Sequence, residues 1–323
     1  MAPYVGILRA AGLAKEPAVG TLTTPPTEFI PYIPPDGFSP DIQTLESKGV
    51  RSLPDVVIKT SQGPASIKNG KVKFELEPEN CGNVIMAALG TDTLTGSAPA
   101  GFLHTFTRLA ASQLPTYTWW FDRGAKYAQF VGCMLHKLDI DIKAKEFVMI
   151  DSEWTGLRYD DTGITHAPSY SPLHALKFSQ AVVTVDGSPV LNYDNLKVSI
   201  DNKVMAEHAL SGSIYTSKIW SEGMRVVISA DLYFEDATQY NKFLAGTVAS
   251  FNIALTSDED IPGATPGTKA SITIDMPEVI YTAAPLHNAA GVLKIPFAGV
   301  VRYNVAGTKT LSIALLNSKS SAY

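Results

Sequence analysis

Hydrophobic and polar residues alternate in short runs along most of the chain. In residues 137–143 the apolar set is Leu138, Ile140 and Ile142, and the polar set is Lys137, Asp139, Asp141 and Lys143. A period of two predicts a strand with one buried and one wet face, as in an antiparallel sheet. LKVSIDN (196–202) and ASITIDM (270–276) alternate in the same way, and a further strand is expected over Thr310 to Leu316, followed by a polar tail. Turn residues separate the runs. Asn69-Gly70 predicts a type I′ hairpin turn, since both central residues of that turn need positive φ. Asp122-Arg123-Gly124 and Asp186-Gly187 predict two more turns, and SDEDIPGATPGT (257–268) reads as a loop. Helical signals are few, with a short helix expected at Phe102 to Ala111.

One pattern occurs twice. VKFELEPENCGNVIMAALG (72–90) aligns without gaps on ISADLYFEDATQYNKFLAG (228–246), which places Val72 on Ile228, Leu76 on Leu232, Glu79 on Glu235, Asn80 on Asp236 and Gly90 on Gly246. Each copy predicts a strand, then a capping acid or amide (Asn80, Asp236), then a helix that a glycine ends by taking the left-handed conformation. Further along each half, GLRYD at 156–160 echoes GVVRYN at 299–304 with one residue inserted. A repeat this long predicts tandem domains rather than a solenoid. The expected organisation is an N-terminal extended arm over 1–54, a first β domain over 55–165 and a second over 166–323. The fold class is mainly β: two tandem β-sandwich or barrel domains, each with a short flanking α-helix.

The arm is set apart by prolines, among them Pro25, Pro26, Pro31, Pro34, Pro35 and Pro40, which fix φ and remove backbone donors. Phe29, Ile30, Tyr32, Ile33 and Phe38 lie among them, so the segment is expected to lie extended on the fold or on a neighbouring subunit. Phe29, Tyr32 and Phe38, with Phe102 from the stretch 91–115 that the second half lacks, are the candidate inter-ring or inter-subunit contacts.

Composition narrows the function. Hydrophobic residues make up 45% of 323 residues, enough for a sizeable core, while charged residues are only 18%, as in a protein that buries much of its exterior in partners. The net charge of −5 argues against non-specific adsorption of nucleic-acid phosphates. Cys81 and Cys133 stand in no CxxC motif and are read as core thiols of a reducing compartment, with a disulfide between them as the alternative. No apolar run approaches a membrane span in length.

Catalytic signals are weak. GxGxxG, P-loop, GxSxG and HExxH motifs are absent, and the six histidines show no metal-ligand spacing. Asp258-Glu259-Asp260 lacks the alternating ligands of an EF-hand loop and reads as a charged hairpin tip. Asp151 and Glu153 share a strand face with nothing nearby to raise them to acid–base work. Trp119 and Trp120 are adjacent on a strand and must point to opposite faces, one to the core and one to a sheet or subunit contact. No catalytic residue, metal or cofactor is expected.

The order of these elements resembles the tail tube (major tail) proteins of long-tailed bacteriophages. The residues that carry the likeness are the arm with GTLTTPPTEFIPY, the strand–helix–glycine unit KFELEPENCGNVIMAALG, the stretch from PTYTWWFDRGAKY through LDIDIKAKEFVMIDSEWTGLRYD, and NLKVSIDNKVMAEHALSGSIYTSKIWSEGMRVVISADLYFED. The resemblance covers most of 20–316. It implies a structural virion protein that stacks as rings around a DNA-conducting channel, with strands joined across subunits, located in the tail and, during assembly, in the host cytoplasm. Its partners would be itself, other tail proteins and viral DNA that passes without specific binding. With two copies of the pattern per chain, a trimer of pseudo-sixfold symmetry is favoured over a hexamer. Asp139, Asp141 and Asp275 are the lumen-facing candidates, because carboxylates on a wet sheet face would repel phosphates. The alternative is a β-sandwich binding module for a carbohydrate or surface ligand, which would expose aromatic platforms.

Overall fold

A computed structural model describes residues 9–48, 60–124, 126–161, 166–234, 237–284 and 293–323. The first half contains β1 (Ala10–Lys15), β2 (Glu28–Ile30), β3 (Tyr32–Ile33), β4 (Asp41–Glu46), β5 (Thr60–Glu75), α1 (Gly82–Leu89), β6 (Gly90–Gly96), β7 (Phe102–Arg108), β8 (Tyr117–Asp122), β9 (Tyr127–Lys143), β10 (Met149–Gly156) and β11 (Arg158–Asp160). The second contains β12 (Ala181–Val185), β13 (Ser188–Pro189), β14 (Tyr193–Asp201), β15 (Val204–Glu207), β16 (Lys218–Ser221), β17 (Arg225–Tyr233), α2 (Thr238–Ala245), β18 (Val248–Asp260), β19 (Lys269–Ala283), β20 (Lys294–Val301) and β21 (Ser312–Asn317). The fold is mainly β and antiparallel. Nineteen strands belong to one hydrogen-bonded network, and β15 pairs with β16 apart from it.

The network follows from the alternation. β5 pairs with β10, β10 with β9, β9 with β14, β14 with β17 and β17 with β20. In this register Phe74, Ile150, Ile140, Val198 and Ile228 fall in one row and are buried. The residues between them line up on the other side. A one-residue slip would send every apolar side chain to water, so the period of two fixes the register. β14 thus pairs with a first-half strand on one edge and a second-half strand on the other. The halves are also stitched at a second place, where β7 pairs with β21 and, on its other edge, with β6.

The strand–helix–glycine unit occurs in both halves, as the pattern predicts. Gly90 (φ 92°) ends α1 and Gly246 (φ 61°) ends α2, both left-handed. The surroundings differ. Every residue of α1 is buried and none of α2 is. The predicted caps are corrected: α1 starts after Cys81 with no side-chain cap, and Nδ2 of Asn80 bonds Glu77 instead at 2.6 Å. Asp236 lies outside the described residues. The two echoes also do not share one register. Val72 pairs with Ser152 and its counterpart Ile228 with Gly299, so pairing sets Ser152 rather than Gly156 against Gly299.

Three further expectations are corrected. No turn forms at Asn69-Gly70; β5 runs through as one strand, with Gly70 opposite Trp154. The helix expected at Phe102 to Ala111 is instead strand β7, because its residues alternate between buried (His104, Phe106) and partly or fully exposed positions while pairing on both edges. The loop expected over 257–268 begins only after Asp260, where β18 ends. A polar tail follows β21 as expected, and its last residue turns back onto the fold: Tyr323 is 6% exposed, its hydroxyl accepts from Nδ2 of Asn317 at 2.8 Å, and its backbone N–H donates to Asp92 at 3.0 Å. The domain boundary placed near 165 falls on residues outside those described. The turns at 122–124 and 186–187 form as expected, the second with Asp186 at φ 49° and Gly187 at φ 76°.

The described part of the arm lies extended on the fold and contributes strands to it. β1 pairs with β8 and β2, while β3 and β4 add to the outer edge of β5. Its aromatic residues cover the sheet. Phe38 sits 4.9 Å from the ring of Phe130 and 5.2 Å from Phe121 (centroid distances), and Phe29 meets Trp120 edge-on at 6.0 Å. Glu16, at the end of β1, is buried and accepts four hydrogen bonds. Oε1 takes Thr118 Oγ1 (2.8 Å) and the Gly132 N–H (2.7 Å); Oε2 takes Thr116 Oγ1 (2.8 Å) and the Gly20 N–H (2.9 Å). Burying a carboxylate is tolerated where its lone pairs are filled in this way.

Candidate functional site

The feature with the clearest chemistry is the polar side of the sheet β5–β10–β9–β14–β17–β20. Pairing places Lys71, Glu153, Lys137, Asp201 and Arg225 in one row. The next row holds Lys73, Asp151, Asp139, Ser199, Val227 and Val300, and the third holds Glu75, Met149, Asp141, Lys197, Ser229 and Ala298. Charge is concentrated on β5, β10, β9 and β14 and thins towards β20. Acidic and basic residues interleave on it, so the face is close to balanced rather than acidic.

The pairs are close. Asp139 Oδ2 meets Nζ of Lys197 at 2.8 Å and of Lys137 at 2.9 Å, Asp141 meets Lys143 at 2.7 Å, and Lys71 meets Glu153 at 3.7 Å. Asp139 is 7% exposed. Burial alone would raise its pKa, but Lys197, Ser199 and Lys137 together outweigh it and hold the carboxyl below the usual range. The hydrogen bond to Asp141 holds the Lys143 ammonium above its ordinary value.

The structure therefore brings Asp139 and Asp141 together on one face, with Asp151 and Glu153 beside them, a set that alternation in single strands did not assemble. Asp275 stands elsewhere, on β19 opposite Asn252 and Ser312, with Lys309 at 2.7 Å. Of the aromatic contact candidates, Phe38 is 2% exposed inside its own chain and offers no surface to a neighbour. Phe29 and Tyr32 are half-buried against Trp120 and Phe121, and Phe102 is half-buried at the start of β7. The signal missed in the sequence is β4, whose six residues are all exposed, including Ile42 at 42% and Leu45 at 55%.

The binding-module alternative requires exposed aromatic platforms. Trp119, Trp120 and Trp154 are buried, whereas Phe147, Tyr170, Phe178 and Tyr303 are exposed. Cys81 and Cys133 are free, buried thiols, each with its pKa raised by burial. No helix among the described residues is long and apolar enough to cross a membrane.

The described residues form an extensive antiparallel fold with paired charges on one broad sheet face. Residues 6–284 match the family model described as phage tail tube protein, and the chain belongs to that family. It is a structural component of the bacteriophage tail. The comparison with curated proteins found no match.

Proposed function

We propose that this chain forms rings that stack into the tail tube, and that the face β5–β10–β9–β14–β17–β20 lines its DNA channel. One observation carries this reading: β14 joins β9 to β17 edge to edge, so the polar face passes unbroken from the first half of the chain to the second. Neighbouring chains would extend the same sheet around a ring, and closure would cover edges that otherwise invite uncontrolled pairing. Since each chain carries the strand–helix–glycine unit twice, three chains supply six similar segments, a trimer of pseudo-sixfold symmetry with the halves acting as tandem domains. A head-to-tail ring interface closes by rotation, while stacking stays open-ended and gives a tube.

The charge pattern suits passage rather than capture. Lys71, Lys137, Lys143 and Lys197 are each paired with a carboxylate, and Lys73 and Arg225 stand opposite Asp151 and Asp201, so the positive charge that could release counterions from DNA is offset by neighbouring carboxylates. For contacts between subunits, β4 with Ile42 and Leu45 is the strongest surface, with Phe29, Tyr32 and Phe102 as its neighbours in that role.

Electron microscopy of the purified protein at high concentration tests the reading. Hollow rings or tubes with six lobes built from three chains are expected. Six chains per ring would keep the function and remove the duplication as an assembly device. Dispersed monomer under all conditions would overturn the proposal.

A further inference from the structure

Strand β14 has an apolar feature at each end. At its Tyr193 end a groove of about 240 Å³ opens between β12 and the ends of β9 and β14. Ile142, Phe178, Val183, Leu191, Tyr193 and Leu196 line it, and Leu191 is largely exposed. Asp194 is the charged residue of this lining, and Lys294 meets it at 2.7 Å. Past Asp201 the chain enters the hairpin β15–β16, whose tip, ALSGSIY at 209–215, carries no charge. Leu210 is fully exposed there, next to the exposed small residues Ser211, Gly212 and Ser213.

The tip is pinned on both sides. Nε2 of His208 donates to the Ala65 carbonyl at 3.0 Å, and the Ala65 N–H donates to the Ile214 carbonyl at 2.7 Å. A knob held in this way has little freedom left to lose when it is buried by a partner. The pinning also fixes its direction. Asp201 is level with Lys137, Glu153 and Lys71 in the sheet, and Ala65 lies beyond Lys71 on β5, further from Glu75. The hairpin thus carries the knob away from the groove, and β14 alone spans about 30 Å between them.

We propose that the tip of β15–β16, with Leu210 as its knob, seats in the Leu191 groove of a second copy of this chain displaced along β14. One chain supplies both parts of the contact, at opposite ends of one strand, so the contact is heterologous and repeats without closing. The tip is uncharged and Asp194 keeps its partner Lys294, so seating buries apolar surface without stranding an ion. The proposal rests on the tube reading, in which copies displaced along the channel strands belong to successive rings, and it names the residues that join them.

Cross-linking of the full-length protein under assembly conditions tests the contact. Cys81 and Cys133 are buried, so the double variant Ser211→Cys/Leu191→Cys carries two exposed thiols and keeps Leu210 in place. With a short bis-maleimide it is expected to give a ladder of dimers, trimers and longer species, and neither single variant should. Leu210→Asp changes a fully exposed position and is expected to give rings that no longer stack. If wild-type protein forms tubes but the double variant gives no ladder, or if Leu210→Asp stacks as wild type does, the knob is wrong and the tube reading stands. A ladder without rings keeps the contact and discards the ring. Dispersed wild-type protein and no ladder would overturn both.

Discussion

The ring of Phe38 occupies the place where a side chain of Gly70 would begin. A Cβ built there would stand 2.7 Å from Cε1 of the ring and 2.8 Å from Cδ1 and Cζ. Gly70 is therefore kept for a close approach and not for a turn, and it joins the arm to the middle of β5. From Phe38 the contact continues to Trp119, Phe121 and Phe130, so this glycine lies under the aromatic cluster of the first half.

Gly70→Ala is expected to cost about 1–3 kcal/mol, because the ring must shift in a packed core. Phe38→Ala should cost about 3–5 kcal/mol by leaving a cavity. In the double variant the alanine methyl meets empty space, so the two costs should not add. Denaturant unfolding of the three variants measures this; additive costs would show that the strain at Gly70 does not act through Phe38.

Glu16 ties β1, β8 and β9 with four accepted hydrogen bonds. Glu16→Ala strands those donors in the interior and is expected to destabilise by about 3–5 kcal/mol. Glu16→Gln keeps the shape but turns an NH2 group towards two donors, so it should also destabilise, by less. Thermal melting distinguishes them. A Gln variant as stable as wild type would mean that the carboxylate does not carry the charge-assisted bonds assigned to it.

How much of this was legible in the sequence depends on the range of each interaction. Leu138, Ile140 and Ile142 announced β9 and its buried face, because alternation is local, and Gly90 and Gly246 announced two helix ends for the same reason. The Asn69-Gly70 turn was misread because a hairpin signal and a close-approach glycine use the same residue, and only the distant Phe38 separates them. Phe102 to Arg108 became a strand because β21, some two hundred residues later, supplies the second edge that holds it. The candidate face was legible one strand at a time. Asp139 could be seen as wet, but its partner Lys197 comes from a strand that no local rule pairs with β9. Asp275 shares the alternation of Asp139 without sharing its rows, since alternation specifies a face of one strand and not which sheet segment that face belongs to.

The ion pairs of Asp139 predict an acid-sensitive contribution to stability. Its folded pKa is held below the usual carboxylate range, so the contribution is fully present above about pH 4 and is lost as pH falls through the folded value. Asp139→Asn should cost about 1 kcal/mol at neutral pH, and the difference from wild type should close below pH 4. Paired unfolding curves at pH 7 and pH 3 check this. A difference that persists unchanged at pH 3 would assign the effect to packing rather than to charge.

The balance of charge on the face makes the strongest claim about function. Replacing Asp141 and Asp151 by Asn and Glu153 by Gln removes three carboxylates while leaving the buried Asp139 and its lysines in place. Lys71 and Lys143 then lose their partners, and Lys73 lies opposite a neutral residue at 151. A channel lined this way should begin to hold phosphates. Assembled wild-type protein is expected to retain little duplex DNA at about 0.15 M salt, and the triple variant to retain linear duplex with an affinity that falls steeply as salt rises. Geometry supplies the control. Linear DNA can thread a closed ring and circular DNA cannot, so retention of the linear form alone places the new positive charge inside. Equal retention of both forms would place the face on the outside of the assembly. If the assembled variant binds neither form, the face does not line the channel.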